Sequence, residues 1–231
     1  MPFNQVNRYF KDKGFRPLSF QKTAWERTAN GVHQLIQCPT GSGKTLAATG
    51  AMIERLLTER SLKGLRLLYV TPLRAMTKDL ELALKDPFEA SEVRILARNG
   101  DTSAKDRASL FRKPPHILMT TPESLSVILS SPKSIDFFST LESIVVDEWH
   151  DLLSSKRGVQ MSLCLSRLMR LSERPTITGI SATIKDPHMA LEALIPNGVS
   201  GQLTQADIDR TVTLSIAESS EESRLPWAGH L

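Results

Sequence analysis

Only two cysteines occur in the 231 residues, Cys38 and Cys164. One lies in a glycine-bearing loop and the other inside an apolar helical pattern. Such a pair frames neither a disulfide scaffold nor a metal site, and reduced thiols of this kind predict a cytoplasmic protein. Long apolar runs are also missing. No stretch reaches the ~20 residues that a membrane-spanning helix needs. The amino end, Met1-Pro2-Phe3-Asn4-Gln5, has no signal-peptide core, so no membrane partner is expected. Strong charge of one sign is absent: 29 Lys and Arg face 25 Asp and Glu, a net +4 that permits a polyanionic partner without demanding one. Two Tyr and three Trp are too few and too scattered for an aromatic stripe. No internal repeat or low-complexity tract interrupts the chain, and its length suits one large domain or two small ones.

What the chain does contain is Cys38-Pro39-Thr40-Gly41-Ser42-Gly43-Lys44-Thr45, between an apolar run and a helical pattern. Gly41 and Gly43 let the backbone turn its N–H groups inward, and a helix starting near Lys44 aims its positive end at the same point. Thr40, Gly41, Ser42 and Gly43 would cradle phosphates, Lys44 would reach the terminal ones, and the Thr45 hydroxyl would take one position on Mg²⁺. Cys38 stands where the general phosphate-loop pattern has glycine.

Before the loop, Phe15-Arg16-Pro17-Leu18-Ser19-Phe20-Gln21 leads into a helix predicted over 19–29. A glutamine can pair in both directions with an adenine edge while a ring stacks on its face, which suits Gln21 and Phe15. A helix start with buried phenylalanines is the alternative. From Gly31 on, apolar strands alternate with amphipathic helices. Strands are expected at 32–37, 65–71, 93–97, 116–120, 142–147 and 176–181, with helices at 44–58 and 73–84. The run Ile144-Val145-Val146 is typical of a strand buried on both faces. This alternation predicts an α/β fold, a mostly parallel sheet covered by helices on both sides.

Thr71-Pro72, Thr121-Pro122 and Asp186-Pro187 pair a capping residue with a first-turn proline, a strong helix-start signal. In a parallel sheet such starts gather along the carboxyl edge, where a row of them would attract successive phosphates of a nucleic-acid strand. Ordinary capping explains each one singly. At the tip of the Ile-Val-Val strand stands Asp147-Glu148-Trp149-His150. Asp147 suits a Mg²⁺ partner, Glu148 a base for water, and His150 a link to a neighbouring loop.

Together these stretches resemble the first RecA-like motor domain of a superfamily 2 helicase. Residues 15–21 resemble the Q motif, 38–45 motif I, Thr71-Pro72-Leu73-Arg74 motif Ia, 120–124 motif Ib, 147–150 the DExH box, and Ser181-Ala182-Thr183 motif III. Asp-Glu-Trp-His followed by residues 152–160, with Arg98-Asn99-Gly100-Asp101-Thr102 and 225–230, is similar to Lhr-type helicases, especially the ligase-associated DExH group.

That resemblance implies a RecA-like P-loop NTPase domain using ATP and Mg²⁺ and translocating 3′→5′ along single-stranded or partly duplex DNA. It implies a role in DNA repair beside a ligase and a nuclease. Lys44, Asp147, Glu148 and His150 would be catalytic, with Ser181 and Thr183 coupling nucleotide state to strand grip. Arg74, Arg98, Thr102, Thr121, Lys156 and Arg157 would contact nucleic acid. Residues 1–30 would form a helical segment with the Q motif, 31–216 the motor domain, and 217–231 a linker toward a second RecA-like domain. In this family that second domain supplies the arginines that stabilise the transferring phosphoryl group. No Gln-x-x-Gly-Arg-x-Gly-Arg string occurs here, so the chain alone is expected to bind nucleotide weakly and hydrolyse it slowly. Rival readings are an RNA or RNA–DNA hybrid helicase, a nucleotide-gated clamp without robust unwinding, and, more distantly, a P-loop kinase.

Overall fold

The computed structural model describes residues 2–59, 61, 63–72, 77–98 (of 77–79 the backbone), 109–182, 184–196 and 198–207. Within these, seven strands form one sheet in the order β3-β4-β2-β5-β6-β1-β7, and all its neighbours run parallel. They are β1 His33–Gln37, β2 Leu67–Val70, β3 Ile95–Arg98, β4 Ile117–Thr120, β5 Ser143–Val146, β6 Thr176–Ser181 and β7 Gly201–Gln205. Helices α1 Asn4–Asp12, α2 Ser19–Ala29, α3 Lys44–Thr58 and α4 Thr77–Lys85 precede β3. Later come α5 Pro122–Leu129, α6 Ser134–Phe138, α7 Trp149–Leu153, α8 Lys156–Leu171 and α9 Pro187–Leu194.

Side chains alternate across each strand, so the central strands serve two apolar layers at once. Leu67, Tyr69, Val145 and Ile180 pack with Phe20, Trp25, Ala48 and Ile53 on one face. Leu68, Val70, Ile144 and Val146 pack with Leu125, Trp149, Met161 and Leu165 on the other. Each aliphatic side chain buried this way stabilises the fold by roughly 1.5–3 kcal/mol relative to exposure. That two-sided burial explains why the strands read as unbroken apolar runs.

The short helices α6 and α7 had no counterpart in the expected pattern, and two further elements, α1 within the expected 1–30 helical segment and β7, have mostly polar sequences that set no limits of their own. The first is α1, polar apart from Val6 and Phe10 on its buried face. Its start is held from a distance: the backbone N–H groups of Gln5 and Val6 donate to Glu54 Oε2 on α3 at 2.7 and 3.0 Å. The second is edge strand β7, Gly-Gln-Leu-Thr-Gln, which has no apolar run of its own. Non-local hydrogen bonds secure it. Arg27 donates to the Leu203 carbonyl at 2.8 Å and to Thr204 Oγ1, and Thr204 Oγ1 donates to Gln34 Oε1 at 2.8 Å. Residues 217–231, read as a linker, lie outside the described residues.

His33 opens β1 with its ring buried, and its Nδ1 accepts the Ile177 N–H at 2.9 Å. Burial lowers its pKa below the usual 6.5. The folded form therefore binds fewer protons than the unfolded chain. The contribution is complete above pH 6.5 and drains away as pH falls through the lowered folded value. Thermal melts from pH 7.5 downward should show a smaller loss of Tm on acidification for His33→Asn than for the parent, because the amide oxygen accepts without titrating. Equal slopes would remove His33 from the account.

Candidate nucleotide-binding site

The loop after β1 and the acidic pair after β5 lie at the carboxyl edge of the sheet, with β6 between their strands. Gly41 and Gly43 both take positive φ, 72° and 82°, as the inward-turning loop requires. A Cβ on Gly43 would also come within 2.6 Å of Gln21 Nε2. Ser42 Oγ closes the loop on the Pro39 carbonyl at 2.7 Å, and Cys38 N–H donates to the Ser181 carbonyl at 3.1 Å. Helix α3 then begins at Lys44 behind a left-handed Gly43.

Lys44 Nζ lies 2.8 Å from Glu148 Oε1, although 104 residues separate them. Both side chains are largely buried, so the pair is little screened by solvent. Glu148 itself sits at φ 45°, ψ 46°, left-handed backbone that a non-glycine residue seldom adopts. Such strain persists where surrounding structure over-determines it, commonly at functional sites. Asp147 is buried. Its Oδ1 accepts the Glu148 N–H at 2.9 Å and its Oδ2 accepts the Tyr69 hydroxyl at 2.7 Å. Burial pushes the Asp147 carboxyl above the usual range, against the pull of the Tyr69 hydrogen bond, and the neighbouring Glu148 charge adds to the rise.

The structure thus brings Lys44, Thr45, Asp147 and Glu148 together as the sequence predicts. Other site residues need revision. Gln21 is not presented to an open base-binding face. It is buried, its Oε1 accepting the Leu18 N–H at 2.8 Å and its Nε2 donating to the Gly43 carbonyl at 3.2 Å. Its amide therefore braces the phosphate loop against the start of α2. Phe15, by contrast, is 69% exposed. His150 stands 3.5 Å from Glu148 Oε2 and 3.5 Å from Asp151 Oδ1, while Ser181 Oγ turns to its neighbour's Ala182 carbonyl at 2.9 Å. No bond joins His150 to Ser181 among the described residues, and Thr183 lies outside them.

The expected nucleic-acid contacts divide in the same way. Thr121 is buried and caps α5, its Oγ1 accepting the Ser124 N–H at 3.4 Å, so its hydroxyl has a structural task. Asp186 likewise caps α9 through the Met189 N–H at 2.9 Å. Arg157 grips both carboxylate oxygens of Glu123 and donates to the Pro72 carbonyl at 2.8 Å. Three of the five guanidinium N–H donors are thereby engaged within the domain. Arg98 is buried at the end of β3, opposite Thr120. Lys156 is exposed at the start of α8. Arg74 and Thr102 lie outside the described residues. Helix α4 is described from Thr77 onward, and residues 73–76, which follow the Pro72 start signal, lie outside the described residues.

Tyr69 was missed. A single phenol in an otherwise aliphatic strand, directly before Val70-Thr71-Pro72, is the signal that marks it. A separate cleft of about 670 Å³, lined by residues that include Leu56, Glu59, Lys63, Glu92 and His116, lies at the far end of α3 and brings no comparable chemistry together.

A parallel sheet carrying this loop and acidic pair at one edge defines a RecA-like P-loop domain. The chain belongs to the DEAD/DEAH box helicase family, whose model matches residues 18–190. It is 36% identical over 227 residues to the ATP-dependent helicase Lhr-Core of Methanocaldococcus jannaschii, covering 91% of this chain and 27% of that protein. It is also 36% identical over 205 residues to the Lhr helicase/uracil glycosylase of Escherichia coli, covering 79% of this chain and 13% of the other. Among solved structures it resembles the Mycobacterium smegmatis helicase Lhr bound to ssDNA and AMP-PNP, with a TM-score of 0.79 and 31% identity over 89% of this chain and 28% of that one. The chain thus spans about a quarter or less of each.

Proposed function

We propose that this chain is the ATP-binding first motor domain of an Lhr-type DNA helicase or translocase. The observation that carries it is the 2.8 Å approach of Lys44 to Glu148 beside the buried Asp147. Lys44 and the loop amides would hold the terminal phosphates of ATP, Phe15 would stack on adenine, and Gln21 would hold the loop in shape. Glu148 would accept the proton of the attacking water, a task for which its carboxylate must first let go of Lys44. His150, near the second Glu148 oxygen, would orient that carboxylate.

The donor set suits Mg²⁺: a hydroxyl at Thr45 and a carboxylate at Asp147, both hard oxygens, the carboxylate fixed by the Tyr69 phenol. Phosphates and water would complete the coordination around these two protein oxygens. When bound, the ion would neutralise charge developing on the phosphates.

DNA is favoured over RNA because the M. smegmatis relative is described with ssDNA, and because of the Asp-Glu-Trp-His string. With Thr121 and Arg98 buried inside the domain, the grip on phosphates falls to Lys156, to the outer edge of Arg157, to Arg74 and Thr102, and to backbone amides. A second RecA-like domain would supply the missing arginines, and 3′→5′ polarity, a DNA-repair role, and ligase and nuclease partners follow from the same likeness. ATPase measured with that second domain present should rise with single-stranded DNA and far less with RNA of equal length. Lys156→Ala should flatten the salt dependence of DNA binding by about 0.7 in log–log slope, the value for one single-strand phosphate. Stimulation by RNA alone would replace the DNA reading, and strong unwinding by the 231 residues alone would show that no second domain is needed.

A further inference from the structure

Tyr69 lies on β2, outside the acidic box, yet its hydroxyl reaches into it. It donates to Asp147 Oδ2 at 2.7 Å. Its ring is fully buried between the sheet and α3, which holds the phenol oxygen at that carboxylate. The direction of the bond follows from its acceptor. An ionised carboxylate only accepts, so Tyr69 must donate its proton to Asp147. Asp147 Oδ1 accepts the Glu148 N–H at 2.9 Å. With one donor on each oxygen the carboxylate is held in one orientation, and its remaining lone pairs are those a cation would meet.

We infer that Tyr69 is a positioning residue for the divalent cation that accompanies the nucleotide: its hydroxyl orients the Asp147 carboxylate as an oxygen donor. The inference rests on the proposed ATP site and adds a residue to it. Tyr69 acts through Asp147 and has no direct part in nucleotide or water binding. Hydrogen-bonding partners of metal ligands typically carry 10–100-fold in metal affinity. Removal of one hydroxyl should therefore show in the metal dependence of nucleotide binding and not in metal-free binding.

The test is a Mg²⁺ titration of the 231-residue chain with a fluorescent ATP analogue, parent against Tyr69→Phe, with parallel binding in EDTA. Tyr69→Phe should raise the half-saturating Mg²⁺ about tenfold or more, with EDTA affinity and melting profile retained. An unchanged midpoint, or an equal loss in EDTA, would reduce Tyr69 to a packing residue. No Mg²⁺ effect on the parent would instead overturn the nucleotide-site reading beneath it. A second measurement avoids mutating Tyr69. The protein has two tyrosines, Tyr9 and Tyr69, so ring-labelled tyrosine gives two NMR signals, assigned with Tyr9→Phe. Adding Mg²⁺ to the nucleotide-bound chain should move the Tyr69 signal and leave Tyr9 still. A Tyr69 signal indifferent to the cation would overturn the assignment.

Discussion

Glu148→Gln is expected to lower ATP turnover by roughly 10²–10⁴-fold, the usual worth of a positioned general base, while ATP binding holds or tightens. Both halves come from one contact. In the structure Glu148 occupies the Lys44 ammonium at 2.8 Å, in a setting that shields the pair from water. A phosphate arriving at Lys44 must displace that carboxylate. Glutamine is nearly isosteric but uncharged, so it competes less for Lys44 and cannot take a proton from water. Single-turnover hydrolysis with the second motor domain present, together with equilibrium binding of a fluorescent ATP analogue, separates the two effects. Parent-level turnover in Glu148→Gln would remove the base assignment and revive the nucleotide-gated clamp.

Lys44→Ala should act in the opposite direction on binding. Truncating one partner of a buried, hydrogen-bonded charge pair costs roughly 2–5 kcal/mol, which is ~30-fold to several thousand-fold in nucleotide affinity. The same change leaves the Glu148 carboxylate without its cation in a nearly buried position, so the melting temperature should fall as well. The double variant Lys44→Met with Glu148→Gln removes both charges and should recover much of that thermal loss without recovering ATP binding. This pattern separates electrostatic pairing from phosphate recognition. Retained nucleotide affinity in Lys44→Ala would place the nucleotide elsewhere and end the proposed function.

The parts of the molecule legible in the sequence are those with short-range causes. Helix α2 at Ser19–Ala29, α3 at Lys44–Thr58 and strand β6 at Thr176–Ser181 fall on their predicted limits. Each is bounded by local chemistry: a proline two residues before Ser19, a positive-φ glycine before Lys44, a dense apolar run at β6. The meeting of Lys44 with Asp147 and Glu148 was legible too, because two separate motifs required one nucleotide.

What stayed hidden depends on partners far away in sequence. β7 is polar, and Gln34 and Arg27 secure it. Arg157 reads as a free cation until Glu123 and the Pro72 carbonyl appear beside it. Gln21 has the chemistry for adenine, yet the carbonyl of Gly43 lies within its reach and claims its amide. In each case a residue type permits several hydrogen bonds, and only the packed fold decides which is made.

The seam between α1 and Glu54 has a practical outcome for anyone shortening this polypeptide. Glu54 is almost wholly enclosed midway along the helix that Lys44 begins, and the N–H groups of Gln5 and Val6 are among its few companions. Trimming back to the first recognisable motif would strip that anion of its ligands and uncover the Trp25 ring that Phe3 and Phe10 flank. A protein cut there would lose heat tolerance with every motif intact, so the useful boundary for expression lies ahead of the conserved-looking signature.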